Sequence, residues 1–237
     1  MPFDEHYFST HTYEGVSFKK YSQYWWSNRF YAGLARRFGE KGSNLLEIGS
    51  GLGHLVGQLD DHFHTYGMDV NPWALSQSRE AAGDALLQVA EADQLPFKEK
   101  SFGMVIIKHV VEHLLDPAAC ITEISRVLSP GGILILATPN LDSLLKPWKG
   151  ESWIGYQDPT HISLKPPSDW LGMVKAAGLK TRKIFADGFW DVPYVRWLPT
   201  GLQKVMFGSL GGLQAVTRSI FLPYRWGESI IIIAQRQ

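Results

Sequence analysis

Read for the spacing of its hydrophobic positions, the chain alternates short apolar runs with segments whose apolar residues recur every three or four places. The runs Leu45–Ile48, Thr65–Val70, Leu86–Glu91, Ser101–Ile107, Ile133–Ala137, Leu179–Phe185 and Ser229–Ala234 predict strands. Helical spacing predicts a helix over Tyr21–Phe38, where Tyr24, Trp25, Phe30, Tyr31, Leu34, Ala35 and Phe38 crowd one side. It predicts others over His54–Phe63, Pro72–Ala82, Ala118–Leu128 and Asp169–Ala177. Asn71 before Pro72, Asp116 before Pro117, and Ser168 are the expected N-caps, while Gly39, Gly83 and Gly178 follow the last turns. Met1–Lys20 has no period and reads as an irregular arm. Between the last two strands, Ala186–Gly227 carries the stripe Leu202, Val205, Met206, Ser209, Leu213, Val216 and Ile220, interrupted by Gly211-Gly212, which predicts two short helices.

Candidate chemistry concentrates where the first strand stops. Gly49-Ser50-Gly51-Leu52-Gly53 must turn sharply with little side chain in the way, so a ligand can lie close against its backbone. The helix predicted after it would offer free N–H groups and a positive dipole end to an anionic group. Asp69 closes the second strand, where a carboxylate can accept both hydroxyls of a ribose. Together these point to a bound nucleoside without saying which. A dinucleotide fingerprint would need glycine at position 54, and His54 stands there.

With Glu47, the turn reads E-x-G-x-G-x-G, which resembles the first motif of class I S-adenosylmethionine-dependent methyltransferases of the type 11, UbiE-like kind. The segment Ala92-Asp93-Gln94-Leu95-Pro96-Phe97 resembles that family's A-D-x-L-P-F, Val110-Val111-Glu112-His113 its V-L-E-H, and EISRVLSPGGILILATPN its helix, P-G-G and strand. Gly103 departs from the pattern, where many relatives have an acid. The motifs span roughly residues 45–140. The resemblance implies an α/β Rossmann-like, doubly wound sheet of seven strands in the order 3-2-1-4-5-7-6, the last antiparallel, with helices on both faces. It implies S-adenosylmethionine as cofactor, S-adenosylhomocysteine as product and methyl transfer as activity. It assigns Glu47, Gly49, Ser50, Gly51 and Gly53 to the cradle, Asp69, Val70 and Asn71 to the ribose side, Asp93 and Gln94 to the adenine, and Lys108 and His109 to the methionine end. In this family the N-terminal helix often covers the cofactor, so Tyr21 or Trp25 could face the pocket; packing on the sheet is the simpler reading of such rings.

The long connection Pro139–Pro167 should overhang the carboxyl edge of the sheet, where an acceptor would meet the methyl group. It holds Trp148, Trp153, Tyr156, Asp158, His161 and Lys165. His161 is the candidate catalytic base, since an imidazole of ordinary pKa about 6.5 suits that work, though it could equally fasten the loop. Glu112 and His113 lack the spacing of a metal-binding pair and read as structural, so no metal is expected. Cys120, the single cysteine, lies on a helix with no basic neighbour and reads as a small buried hydrophobe.

At 237 residues and 45% hydrophobic content, one substantial core is expected. That core would be a single domain over 1–237, with an arm and helix at 1–42, a cofactor-binding core at 43–185 and an aromatic-rich insertion at 186–227. With 23 basic and 23 acidic residues there is no basic face, which argues against nucleic acid. No signal peptide is read in the first residues, and no window reaches the roughly 18 apolar residues of a membrane span, so a cytoplasmic location is the expectation. The insertion, with Trp190, Tyr194, Trp197, Phe207, Phe221, Tyr224 and Trp226 and with Arg218 and Arg225 at its rim, could build an acceptor pocket, a dimer face in a chain that is monomer or homodimer, or a peripheral membrane contact through 190–226. The acceptor could be a small molecule, a lipid or a sugar. Two rival readings are a cofactor-binding scaffold without turnover, its loop plugging the pocket, and a nicotinamide oxidoreductase, which His54 and A-D-Q-L-P-F disfavour.

Overall fold

The computed structural model describes residues 16–217 and 219–237. Most of the arm expected at Met1–Lys20, including the segment read for a signal peptide, and Arg218 of the insertion therefore lie outside the described residues.

Seven strands form one sheet in the order β3-β2-β1-β4-β5-β7-β6. They are β1 (Asn44–Ile48), β2 (His64–Asp69), β3 (Leu86–Val89), β4 (Phe102–Lys108), β5 (Leu128–Pro139), β6 (Leu179–Ala186) and β7 (Ser229–Arg236). The pairs through β5 are parallel, and β7 runs antiparallel to both β5 and β6. The helices are α1 (Gln23–Phe38), α2 (Pro72–Ala82), α3 (Pro117–Val127), α4 (Pro167–Ala176) and α5 (Thr200–Thr217), with single helical turns at Lys146–Lys149 and Ile154–Gln157.

The central strands are apolar on both faces because both faces are covered. On one, Leu46, Ile48, Val105 and Ile107 meet Ile121 and Ile124 of α3 and Trp170 and Val174 of α4. On the other, Leu45, Met104, Ile106, Ile231 and Ile233 meet Phe30, Tyr31 and Leu34 of α1 and Ala215 of α5. Each such aliphatic side chain contributes about 1.5 to 3 kcal/mol by leaving water. Two of the three expected caps hold: the Asn71 side chain accepts from the Trp73 and Ala74 N–H groups, and Asp116 accepts from Ala119 N–H.

Three expectations fail locally. The helix predicted over His54–Phe63 is only a short 3-10 turn, Val56–Gln58, although Leu55, Val56, Leu59 and Phe63 are all buried. The cause is close packing: a Cβ on Gly53 would stand 2.8 Å from the Ala82 Cβ, and one on Gly57 would stand 1.9 Å from the Ala81 carbonyl oxygen. The backbone is thus pressed flat against α2, and tertiary packing overrides a local period. Second, Ser168 is not a cap; α4 begins at Pro167 after Pro166, and the Ser168 hydroxyl donates to Asp169 instead. Third, Gly211-Gly212 does not split the insertion helix. Gly211 is where α5 lies against the Trp190 ring, which a Cβ would meet at 2.3 Å, so α5 runs unbroken for 18 residues.

Candidate functional site

The glycine turn leaves the carboxyl end of β1 with Gly49, Gly51 and Gly53 all at positive φ, +74°, +49° and +76°. Gly49 lets the turn touch the end of β4, since a Cβ there would lie 2.2 Å from Val110 Cγ2. Asp69 braces the turn from the neighbouring strand, accepting the Gly51 and Asn71 N–H groups at 2.9 Å each. Burial raises its pKa, and those two bonds oppose the rise. Two of the roughly four acceptor sites of this carboxylate are therefore engaged with the turn itself. The helix terminus expected to follow the turn is absent, so anion stabilisation by a helix dipole has no structural basis here.

Beyond β3, Asp93 and Gln94 are exposed, on a segment that α3 fixes in place. Glu123 accepts Leu95 N–H at 3.0 Å, and Arg126 donates to the carbonyls of Phe97 and Leu95 at 2.8 and 3.0 Å. Cys120 is buried beneath, its thiol pushed up by burial and then by the charges of Asp93 and Glu123, which suits a packed hydrophobe and not a nucleophile.

The densest chemistry surrounds Lys108, the last residue of β4. Its ammonium donates to Asn28 Oδ1 at 3.0 Å and sits 4.9 Å from the ring centre of Tyr31 and 5.7 Å from that of Tyr24, all three on α1. Burial pushes Lys108 down, countered by the charges of Glu47 and Asp187; burial pushes Glu47 up, countered first by Lys108. Asp187, just past β6, is also raised by burial, against the pull of His109 and Lys108. Around this ammonium, Asn28 Nδ2, Tyr31 OH, Glu47 Oε2 and Asp187 Oδ1 are buried and have no hydrogen-bond partner among the described residues, as is true of Ser50 Oγ at the turn. Unpaired buried polar atoms cost about 1 to 3 kcal/mol each, and native folds keep few of them. Donors and acceptors converging on one place suit a ligand carrying both charges.

Sequence reading found Glu47 and Lys108 but missed Asn28, Tyr31 and Asp187. The available signal was the Tyr24, Asn28, Tyr31 spacing, which puts polar atoms on one face of α1, and an acid directly after a strand. Tyr21 is largely exposed and packs edge-on against Trp25. The α1 ring that reaches the turn is Tyr24, which with Phe18 packs on His54 at 5.6 and 4.8 Å.

His109 links the site to a second network. Its Nδ1 donates to Glu112 Oε1 at 3.1 Å, and its Nε2 lies 3.3 Å from Ser229 Oγ. Glu112 is fully buried; burial pushes its carboxyl up, but the His109 bond and the His109 and His113 charges outweigh this and hold it below its usual value. His113 Nδ1 donates to the Thr160 carbonyl at 3.2 Å, and Ser163 N–H donates to the Glu112 carbonyl at 2.8 Å, which clips the long connection to β4's end. His161 Nδ1 donates to the Gly155 carbonyl at 2.7 Å, leaving Nε2 as the basic nitrogen, 3.9 Å from Asp158 Oδ2. The His113 and His161 rings are 4.7 Å apart, and Glu112, His113 and His161 present potential ligand atoms within 4.8 Å of one another. Sequence spacing hides this grouping, because 47 residues separate His113 from Thr160 beside His161. Glu112's two oxygens are held by His109 and Thr138, so a metal ion would compete with bonds that fasten the loop.

Against known proteins, residues 46–136 match the family model described as a methyltransferase domain. A Mycolicibacterium smegmatis protein named as a probable S-adenosylmethionine-dependent methyltransferase is 30% identical over 120 residues, 49% of this chain and 46% of that one. The ubiquinone/menaquinone biosynthesis C-methyltransferase UbiE of Vibrio campbellii is 27% identical over 125 residues, 47% of this chain and 48% of that one. The chain thus spans about half the length of these curated relatives. In fold it is similar to an S-adenosylmethionine-dependent methyltransferase of Mesorhizobium loti, with TM-score 0.61 at 16% identity over 88% of this chain and 98% of that one. No helix among the described residues is long and apolar enough to cross a membrane. The segment similar to a methyltransferase domain contains the glycine turn, Asp69, Asp93 and Lys108, on a sheet of the expected order.

Proposed function

We propose that the chain moves the methyl group of S-adenosylmethionine to an acceptor of the small-molecule, lipid or sugar class. The observation that carries this is the set of unpaired buried atoms around Lys108. Glu47 and Asp187 offer acceptors to the ammonium of an amino-acid end, and Lys108, Asn28 and Tyr31 offer donors to its carboxylate. The Gly49–Gly53 turn, with Ser50, lies against the nucleoside; Asp69, Val70 and Asn71 take its ribose side, and Asp93 and Gln94 its base. Bound there, the cofactor supplies an electrophilic methyl on a positively charged sulfur. The chain's own part is to hold the attacking atom in line, within about 3 to 3.5 Å, and to keep water out. His109 holds the floor through Glu112 and Ser229, and His161, through Nε2, takes the acceptor's proton where one must leave.

Calorimetry with S-adenosylmethionine tests the binding half. Asp69→Ala should weaken affinity by about 1 to 3 kcal/mol, and Asp187→Asn should do the same without touching the glycine turn. Unchanged affinity in both would overturn the assignment. Formation of S-adenosylhomocysteine over a panel of hydroxyl, amine and carbon-acid acceptors tests the chemistry. Turnover should fall about 100-fold in His161→Gln with cofactor affinity kept. Binding with no turnover on any acceptor would leave the scaffold reading standing.

A further inference from the structure

Helix α5 is built inside out. Its two glutamines face the protein, and most of its large apolar side chains face away. Gln203 and Gln214 are fully buried. Gln203 accepts from the N–H groups of Tyr194 and Val195 and donates to the carbonyls of Val195 and Leu198. Gln214 accepts from Phe221 and Leu222 and donates to Ala186 and Asp187. The two amides thus serve as struts for the irregular chain on either side of the helix. Leu202, Val205, Met206, Leu213 and Val216 share the opposite face, and Val205 and Val216 are 68% and 61% exposed. A helix whose polar groups are satisfied inward and whose aliphatic groups are left in water has a face made for another phase.

We propose that this face lies on the surface of an anionic phospholipid bilayer. Charge selects that occupant. Between Val192 and Gly227 the sequence has four basic residues, Arg196, Lys204, Arg218 and Arg225, and no acid. Arg196, Lys204 and Arg225 are exposed. Trp197, 83% exposed just before the helix, and the exposed Phe221 and Trp226 beyond it are the ring types that settle at a membrane interface. At 18 residues the helix is about 27 Å long, and it lies flat on the protein, so it rests in the interface plane and does not span. A second copy of the chain fits less well, because a two-fold contact through this segment would set cations against cations with no acid to meet them. The contact brings the chain to membrane-borne acceptors, a consequence that rests on the methyl-transfer reading; the docking itself does not.

The test is co-sedimentation of the whole chain with vesicles of phosphatidylcholine alone and of equal parts phosphatidylcholine and phosphatidylglycerol. Binding is expected on the mixed vesicles only, falling as salt rises. Val205→Glu and Leu213→Glu should each weaken it about tenfold, with the thermal midpoint and S-adenosylmethionine affinity unchanged. No binding to the mixed vesicles, or equal binding by the two variants and the parent, overturns the proposal. So does a dimer in sedimentation velocity that Val205→Glu dissociates, or a gain in hydrogen exchange over residues 1–15 in that variant without vesicle binding. Loss of cofactor binding in the parent would instead count against the function proposed above.

Discussion

Helices α3 and α5 pack on opposite faces of one sheet and solve the same problem in opposite ways. Helix α3 turns Cys120, Ile121, Ile124 and Val127 inward and leaves Thr122 in water. Helix α5 turns Gln203 and Gln214 inward and leaves Leu202, Val205 and Leu213 in water. The first is held by area removed from water, the second by hydrogen bonds whose partners would otherwise be stranded. Burial periodicity therefore locates a helix without saying which side faces in, and the answer depends on what the neighbouring chain needs. Under the apolar face of α3 the neighbours are strands with their backbone already paired; around Gln203 and Gln214 of α5 they are loops whose N–H and carbonyl groups need partners.

The contrast is sharpest under exchange of type. Ile124→Gln should destabilise by about 3 to 5 kcal/mol or prevent folding, since it removes a buried aliphatic group and strands an amide, and chemical denaturation would show it. Gln214→Leu, a change toward the more hydrophobic residue, should nonetheless cost about 2 to 4 kcal/mol, because four backbone groups lose their partner. A neutral result would mean the strut is dispensable and would erase the distinction.

A third change probes the polar side through pH. Glu228 accepts the Trp153 indole N–H at 2.5 Å, and burial pushes its pKa up to about 7 from an ordinary 4.5. Between those values the unfolded chain has released a proton that the folded chain retains, so stability falls as pH rises through this window and stays lowered above it. Glu228→Gln keeps the acceptor and removes the titration. Its stability relative to the parent should therefore rise by about 1 to 3 kcal/mol from pH 4 to pH 8, as read by paired denaturation curves. A difference that does not change with pH would show that Glu228 titrates normally. The smallest effect belongs to the outer face of α5, where Val205→Ser should alter stability by no more than about 0.5 kcal/mol.

Much of the cofactor half was legible. Short continuous apolar runs bounded by turn residues read as strands covered on both faces, and Asn71-Pro72 and Asp116-Pro117 announce helix starts by chemistry that acts locally. The strand order followed from resemblance and not from periodicity. What could not be read depended on contacts distant in sequence. The spacing of Leu55, Val56, Leu59 and Phe63 is helical and their burial is real, but Gly53 and Gly57 press that segment onto α2. Asn28, Tyr31 and Asp187 reach Lys108 from parts of the chain about 80 residues to either side of it, so no window joins them. His161 was visible as a titratable group in a long connection, but its fastening to Gly155 and its neighbour His113 were not.

Gly57 also bears on how a mutational scan of this chain would be read. Position 49 borders the proposed ligand and position 57 does not, yet alanine should fail at both: its methyl would collide with Val110 at one and with the Ala81 carbonyl oxygen at the other. A map of essential positions would score the two alike, although one loss would report on chemistry and the other only on room.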